Sequence, residues 1–246
     1  MSVAGSAVAD ADAVSIAYVH PHDVSYAWHK SMIDLLGYDL ANHQRVMRAA
    51  YIAVRCSTGG LVEARNEAVR MFLEDGRADW LWWVDTDMGF RPDVIDRLVD
   101  AADPVERPVV GALCFAWKEM SEDGYGGYAC APCPTLYRWA KTPDGRQGFL
   151  AWMDYPDDQV VQVAGTGSAC ILIHRSVFET IADKYGAGRW YDRMTNPSTG
   201  QLFSEDLSFC AKAGACGVPI HVDTRVKTTH HKQLWVGEDI YRAARS

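Results

Sequence analysis

The run WLWWVD at residues 80–85 constrains the fold more than any other part of the chain. Its apolar side chains do not alternate with polar ones, as they would in a strand with one face in solvent. A short continuous apolar run is typical of a strand in the middle of a sheet that helices cover on both faces. The run therefore predicts a central strand of an α/β domain.

Strand and helix patterns alternate from the N-terminus to about residue 115. Strands are predicted at residues 14–20, 45–54, 80–85 and 108–115, and helices at residues 23–36, at residues 61–75 and after Pro92. Gly37 and Gly76 are expected to end the first two helices, because glycine favours the position beyond a helix C-terminus. This alternation predicts a mostly parallel central sheet flanked by helices.

The pattern then changes to short aromatic runs with many glycines and prolines, over residues 118–163. Hairpin signals such as TPDGRQ at residues 142–147 predict a smaller antiparallel region. Strands at residues 169–174 and 218–223 follow, together with two helices. One helix is expected to open with Ser176 and Glu179 at capping-box spacing, and the other with SED at residues 204–206.

Length and charge narrow the class of protein. The 246 residues suffice for one domain with a substantial core. The 24 basic and 32 acidic residues give a net charge of −8, which argues against a broad nucleic-acid-binding surface. No apolar run approaches the ~18 residues of a membrane span, and the N-terminus lacks the segments of a signal peptide. We expect a soluble, cytoplasmic protein.

The seven cysteines are odd in number and irregularly spaced, and we expect a reducing compartment. Cys130 and Cys133 form a C-x-x-C sequence without the second pair that a zinc finger would need. Metal binding by this pair stays an open alternative.

Two acids, Asp85 and Asp87, follow the central strand directly. Ligands of open α/β sheets bind outside the carboxyl ends of the strands. Residues i and i+2 of an extended chain point the same way, so both carboxylates are expected to face one site. Two hard oxygen ligands suit Mg²⁺ or Mn²⁺ carrying a diphosphate. The alternative is a strand end followed by an ordinary turn.

Arg65 and Asn66 lie near the start of the preceding helix, where a phosphate or a base edge would bind. The alternative for both is a solvated helix face. His230, in the HH pair after the last strand, is a candidate further metal ligand, although such a pair is often ordinary surface.

Glu205 and Asp206 begin a helix, and either is a candidate general base for an acceptor hydroxyl. The alternative is that both acids only oppose the helix dipole. Gly165 and Gly167, in GTGSA, are candidates for close approach of the backbone to a sugar, or for a simple turn.

The order of these motifs resembles that of nucleotide-sugar-dependent glycosyltransferases of the GT-A fold, particularly the family 2 type with its short phage-encoded and bacterial members. The motifs are ARN on a helix, DTD after a strand, GTG before a strand, ED at a helix start and a late histidine, and they span residues 14–231. The resemblance implies a single GT-A (Rossmann-like) domain. Residues 14–115 would form its nucleotide-binding half, residues 116–231 its acceptor and catalytic half, and residues 232–246 a C-terminal tail.

The resemblance also implies roles on the donor side. Asp85 would contact the ribose or the metal, Asp87 would bind Mn²⁺ or Mg²⁺ directly, and His230 would be an additional metal ligand. Arg65 and Asn66 would lie against the nucleotide of a UDP- or GDP-sugar.

On the acceptor side, the resemblance implies that Asp206, or Glu205 beside it, is the base, and that Gly165 and Gly167 line the sugar pocket. The implied protein is a metal-dependent glycosyltransferase of hexosyltransferase type. Its acceptor would be a glycan, a lipid carrier, a protein or a modified nucleobase. If the protein is phage-encoded, it would act in the host cytoplasm.

Other function classes stay open. In a phosphatase of the haloacid dehalogenase type, Asp85 would be the nucleophile and Asp87 the acid/base, but Met88 and the two preceding strand–helix units depart from that pattern. A nucleotidyltransferase would need a glycine- and lysine-rich loop after the first strand, and VHPHDVSY is neither. A non-catalytic carbohydrate-binding protein would use the abundant aromatic residues of the second half.

Overall fold

The computed structural model describes residues 10–57, 59–122, 128–141 and 145–232. Its first elements are β1 (Asp10–His20), α1 (Tyr26–Ala41), β2 (Tyr51–Arg55), α2 (Gly60–Asp75), β3 (Ala78–Val84), β4 (Met88–Gly89), α3 (Val94–Ala101), β5 (Val109–Leu113), β6 (Phe115–Glu122) and β7 (Tyr128–Pro134). The remaining elements are β8 (Leu136–Lys141), β9 (Gln147–Ala151), β10 (Val160–Val163), β11 (Gly165–Thr166), β12 (Cys170–His174), α4 (Arg175–Tyr185), α5 (Glu205–Ala215), β13 (Ile220–Lys227) and β14 (Thr229–His230).

The central sheet has seven strands in the order β10-β13-β5-β12-β3-β1-β2. Strands β1, β2, β3, β5 and β13 run in one direction, whereas β12 and β10 run against their neighbours. The sheet is therefore mostly parallel, as the alternating pattern predicts. The antiparallel hairpin β8–β9, with β11 beside β8, forms the predicted smaller region.

Helices cover both faces of this sheet. Residues of α1 and α3 pack on one face, and residues of α2, α4 and α5 on the other. Within β3, Leu81 and Trp83 belong to one core cluster, and Trp80, Trp82 and Val84 to the other. The absence of alternation in WLWWVD is thus explained by burial on both sides.

The first helix does not end at Gly37 as predicted, but continues to Ala41. The carboxylate of Asp39, in its last turn, is buried and accepts hydrogen bonds from the backbone N–H groups of residues 45–47 at 2.8–3.3 Å. These bonds tie residues 45–47 into the helix end, so β2 begins at Tyr51 rather than at residue 45.

Two other predicted boundaries shift. The N-cap of α4 is His174, whose side chain accepts from the backbone N–H of Ser176, so Ser176 does not open a capping box. The first strand, predicted from residue 14, already begins at Asp10, and residues 1–9 lie outside the described part of the chain. The prediction that Gly76 ends α2 is confirmed, since its φ of 66° is left-handed.

Candidate functional site

Asp85 and Asp87 lie at the carboxyl edge of the central sheet, in a turn rather than in extended chain. The ladder of β3 with β12 ends at the pair Val84 and Cys170. The N–H of Met88 then donates to the carbonyl oxygen of Asp85 at 3.1 Å, which closes the turn. The expectation that strand alternation aims both carboxylates alike is therefore wrong, and each carboxylate is held by its own partners.

Arg65 of α2 is buried, with 1% of its side chain exposed, and does not lie on a solvated helix face. Its Nη2 donates to Oδ1 of Asp85 at 3.0 Å. The same atom lies 3.8 Å from Oδ1 of Asp206, and Nε lies 4.0 Å from Oε1 of Glu205. One guanidinium thus joins the acids that follow β3 to those that begin α5.

Aromatic rings hold Arg65 in place. Its guanidinium carbon lies 5.1 Å from the ring centroid of Trp83 and 5.6 Å from that of Tyr191. Burial lowers the pKa of Arg65, but Asp85 and Asp206 outweigh that effect, so the net shift is upward and the group stays charged. Nε and Nη1 have no hydrogen-bond partner among the described residues, which leaves donors for a ligand or a rearranged carboxylate.

The acids around Arg65 repel one another. Burial raises the pKa of Asp85, Arg65 opposes this, and the charges of Asp206 and Asp87 raise the pKa further. Burial and the charge of Asp206 likewise raise the pKa of Glu205. A further positive charge near these acids would reduce their mutual repulsion.

Glu205 and Asp206 occupy different environments, although they are adjacent in α5. Ser204 caps the helix by accepting from the N–H of Leu207 at 3.3 Å. Glu205 is buried between Arg65 and Arg193. Nη2 of Arg193 lies 3.8 Å from Oε2 of Glu205. Asp206 is more accessible, with 23% of its side chain exposed. Of these two acids, Asp206 is therefore the more accessible to a bound ligand.

Asp87 and His230 are brought together by the pairing of β4 with β14, in which His230 lies opposite Met88. Oδ2 of Asp87 lies 3.0 Å from Nε2 of His230 and 2.8 Å from Nζ of Lys232. Burial raises the pKa of Asp87, but hydrogen bonds from His230 and Lys232 outweigh it and lower the pKa to about 2. Burial lowers the pKa of His230, but its bonds to Asp87 and Phe115 raise it overall.

The contact between Asp87 and His230 has room for either a proton or a cation. Nδ1 of His230 lies 2.7 Å from the carbonyl oxygen of Phe115, which only accepts, so Nδ1 carries a proton. A neutral His230 then turns the lone pair of Nε2 toward Asp87, and this contact needs a proton or a cation. Neighbouring ligands of an octahedral cation, each at about 2.1 Å, lie about 3 Å apart. The 3.0 Å separation of Nε2 and Oδ2 equals that spacing, and it is also the length of the direct hydrogen bond between the two atoms.

The predicted trio of Asp85, Asp87 and His230 is not assembled as one metal site. No group of three or more His, Cys, Asp or Glu residues in the described chain is arranged to hold a metal ion. The carboxylate of Asp85 is directed to Arg65 instead. The pair Cys130 and Cys133 is untested, because the side chain of Cys130 lies outside the described residues.

Asn66 does not face the site through its amide. Its Nδ2 donates to Oδ1 of Asp192 at 3.0 Å, and its Oδ1 accepts from the backbone N–H of Tyr191 at 2.9 Å. Both ends of the amide therefore bind the segment that places the Tyr191 ring against Arg65. Asn66 therefore affects the site only by positioning Tyr191.

The two glycines of GTG differ in their surroundings. A Cβ atom on Gly165 would lie 2.9 Å from Phe149 and 3.0 Å from Leu207, so this glycine permits close packing between β9 and α5. A Cβ atom on Gly167 would lie 3.9 Å from Oδ2 of Asp206, at ordinary contact distance. Gly167 borders the candidate base Asp206.

Sequence reasoning missed three residues of the site: Tyr191, Arg193 and Lys232. Tyr191 and Arg193 belong to an irregular segment between α4 and α5. Only Lys232 has a signal in the sequence, namely a basic charge directly after the HH pair that holds the predicted metal ligand.

No helix in the described residues is long and apolar enough to cross a membrane.

Comparisons with known proteins show the fold. No family model matches the sequence, and no curated protein matches it. A crystal structure of GalNAc-T7 with UDP, GalNAc and Mn²⁺ is similar with a TM-score of 0.54 and 12% identity, over 90% of this chain and 44% of that one. This chain thus spans less than half the length of the GalNAc-T7 chain. A crystal structure of A197 from STIV is similar with a TM-score of 0.49 and 15% identity, over 90% and 86% of the two chains.

The predicted fold class is confirmed. The chain is an α/β protein with a mostly parallel seven-stranded sheet, five helices in its described residues and a GT-A-like architecture. At these identities the likeness concerns the fold, and function has to be argued from the site.

Proposed function

We propose that this protein is a glycosyltransferase that moves a sugar from a UDP- or GDP-sugar to an acceptor hydroxyl, with the help of a divalent cation. The observation that carries this proposal is the position of Arg65 between two sets of acids. It hydrogen-bonds Asp85, at the carboxyl end of the central strand, and lies 3.8 Å from Asp206, at the start of α5. A donor site and a base thereby meet at one edge of a GT-A-like sheet.

Asp206 is the proposed base. The oxygen of the acceptor forms a bond to the anomeric carbon while the bond from that carbon to the diphosphate oxygen breaks. The nucleoside diphosphate leaves with the electron pair of that bond, and Asp206 takes the proton of the acceptor hydroxyl. Gly167 leaves space beside Oδ2 of Asp206 for the reacting groups.

Positive charge for the departing diphosphate comes from the chain and from a cation. Asp87 and His230 would hold Mn²⁺ or Mg²⁺, which would offset the charge of the leaving diphosphate. Lys232, 2.8 Å from Asp87, and Arg65 add charge in the same region. Asp85 positions Arg65 through Oδ1. Its other carboxylate oxygen would accept a hydrogen bond from a ribose hydroxyl of the donor.

The proposal is tested by incubating the protein with Mn²⁺ and a panel of nucleotide sugars. Release of nucleoside diphosphate is measured alone and with glycan, lipid-carrier, protein and modified-nucleobase acceptors. We expect release from one class of donor and none after chelation of the cation. Absence of turnover with every donor, together with absence of metal-dependent nucleotide binding, would exclude it. Hydrolysis of simple phosphate esters without any nucleotide sugar would instead support the phosphatase alternative.

Cation binding has its own matched control in the HH pair. His230→Ala and Asp87→Ala should each abolish Mn²⁺-dependent nucleotide binding, measured by titration calorimetry. His231→Ala should leave it unchanged, because the side chain of His231 is exposed and its known contact with Asp87 is made by the backbone N–H. Equal losses in the two histidine variants would contradict the assignment of His230.

A further inference from the structure

Strand β2 is the outermost of the described strands on one side of the central sheet. Among the described strands it pairs with β1 alone. The carbonyl of Ala50 and the N–H of Cys56 bond to β1 at 2.9 and 2.8 Å. Alternate residues of a parallel strand bond the same neighbour, so Tyr51, Ala53 and Arg55 direct their N–H and C=O groups away from the sheet. Their side chains are also exposed.

An apolar surface borders this edge. The helix α1 and the segment before β2 enclose a groove of about 440 Å³ whose lining includes Leu36, Leu40, Met47 and Tyr51. Leu40, Met47 and Tyr51 are 58%, 56% and 48% exposed. Ile33, which is also exposed, lies seven residues before Leu40 on the same stripe of α1. A contiguous exposed apolar surface is typical of a binding surface.

The edge strand is complementary to itself. In an antiparallel pair of two β2 strands centred on Ala53, Tyr51 of each strand stands opposite Arg55 of the other. Each of these residues and Ala53 has outward backbone groups, so the three opposed pairs would exchange N–H···O bonds in both directions. A guanidinium against a tyrosine ring is a favourable cross-strand pair. The guanidinium of Arg55, whose Nη2 lies 3.0 Å from Nε2 of His22, would exchange that exposed contact for the ring. The ring of Tyr51 is already fixed by an edge contact with Tyr18, at 5.4 Å between centroids.

We propose that two copies of this chain associate through β2 and the adjoining stripe of α1, forming a twofold-symmetric dimer with a continuous sheet across the interface. Antiparallel pairing within one sheet puts the twofold axis perpendicular to the sheet. Both α1 helices then lie on the same face, with their apolar stripes toward each other. The two candidate functional sites lie at opposite ends of the combined sheet, so the dimer does not depend on the proposed function.

The pairing is tested by analytical ultracentrifugation of the full chain over a range of concentrations. Ala53→Pro removes an outward N–H without touching the bonds to β1, and proline is tolerated at sheet edges. We expect a dimer for the unchanged protein and a monomer for Ala53→Pro. Val105→Glu, which changes an exposed apolar residue outside this surface, should remain a dimer. A monomeric unchanged protein, or a dimeric Ala53→Pro variant, would overturn the proposal.

The register is tested by changing the charge opposite Arg55. Tyr51→Arg places like charges across both symmetric pairs and should weaken the dimer about tenfold or more. Tyr51→Glu removes the same apolar ring but places an acid opposite Arg55, and should retain the dimer. The exchange Tyr51→Arg with Arg55→Tyr should restore association. Equal dissociation constants for Tyr51→Arg and Tyr51→Glu, in variants whose circular dichroism matches the unchanged protein, would show that this pairing is wrong.

Discussion

The guanidinium of Arg65 donates a 3.0 Å hydrogen bond from Nη2 to Oδ1 of Asp85, linking the helix before the central strand to the turn after it. Because Arg65 is buried and lies between Trp83 and Tyr191, neither its position nor its charge is easily changed. Several acids therefore depend on one cation, and the stability and the chemistry of the site are coupled through it.

Arg65→Met should destabilise the protein by about 3 kcal/mol, because it leaves buried acids without their counter-charge. Arg65→Lys keeps a charge but loses the planar fork, and should still impair nucleotide binding. Urea unfolding measures the first effect and titration calorimetry the second. Arg70→Met on the same helix, where the arginine is exposed and bonded to Glu67 and Glu74, should cost less than about 1 kcal/mol. Similar costs at the two positions would refute the central role of Arg65.

Asp206→Asn should leave donor binding intact and lower kcat by about a hundredfold or more, since it removes the proposed base. Glu205→Gln should lower kcat less, because Glu205 is buried between Arg65 and Arg193, whereas Asp206 borders Gly167. Steady-state kinetics at saturating donor, paired with nucleotide binding, distinguish the two variants. A larger loss of kcat in Glu205→Gln would transfer the role of base to Glu205.

Gly165→Ala should lower stability, whereas Gly167→Ala should change the kinetics with the acceptor. The added methyl group at position 165 would press on Phe149 and Leu207, and overpacking of this kind costs about 1–3 kcal/mol. The methyl group at position 167 finds ordinary contacts, so stability should change by less than about 0.5 kcal/mol. It narrows the space beside Asp206, however, and should raise KM for the acceptor. Thermal unfolding and acceptor kinetics check both expectations, and a Gly167→Ala variant with unchanged kinetics would argue against a substrate at this position.

His174 should make stability fall in mild acid. Its side chain caps α4 as an acceptor, and burial lowers its pKa below the ordinary 6.5. The unfolded chain then binds the proton more tightly, so the contribution of His174 is present above pH 6.5 and is lost as the pH falls through the lower folded pKa. His174→Asn keeps a capping oxygen but does not titrate. The free energy of unfolding is measured with urea between about pH 8 and about pH 5. As the pH falls, it should decrease less in the variant than in the unchanged protein. A difference independent of pH would contradict this account.

Local patterns sufficed for much of the architecture. The apolar run before Asp85 predicts a doubly covered strand because burial on both faces removes alternation, and Trp82 and Trp83 indeed lie on opposite faces. Gly76 predicts a helix end because glycine readily adopts the left-handed conformation that it has there. These features are determined within a few residues of sequence.

The errors came from contacts between distant segments. Asn66 is engaged by Tyr191 and Asp192, more than a hundred residues away, so its position on α2 gave no indication of its role. Gly165 is required by Phe149 and Leu207, which belong to two other elements. The end of α1 is set by the carboxylate of Asp39, which binds residues beyond the helix. Each of these depends on a tertiary contact that no local pattern encodes.

The insertion of β12 between β3 and β5 has a consequence for how the protein is made. Cys170, which pairs with Val84 at the tip of β3, is synthesised long after β3 itself. A nascent chain that has not reached β12 leaves β3 with β1 as its only described neighbour and with a bare apolar edge. The turn that carries Asp85 is also bonded to Ala169 through its N–H. Productive folding of the candidate site is therefore expected to wait for the second half of translation, and a polypeptide truncated before residue 169 to aggregate rather than fold.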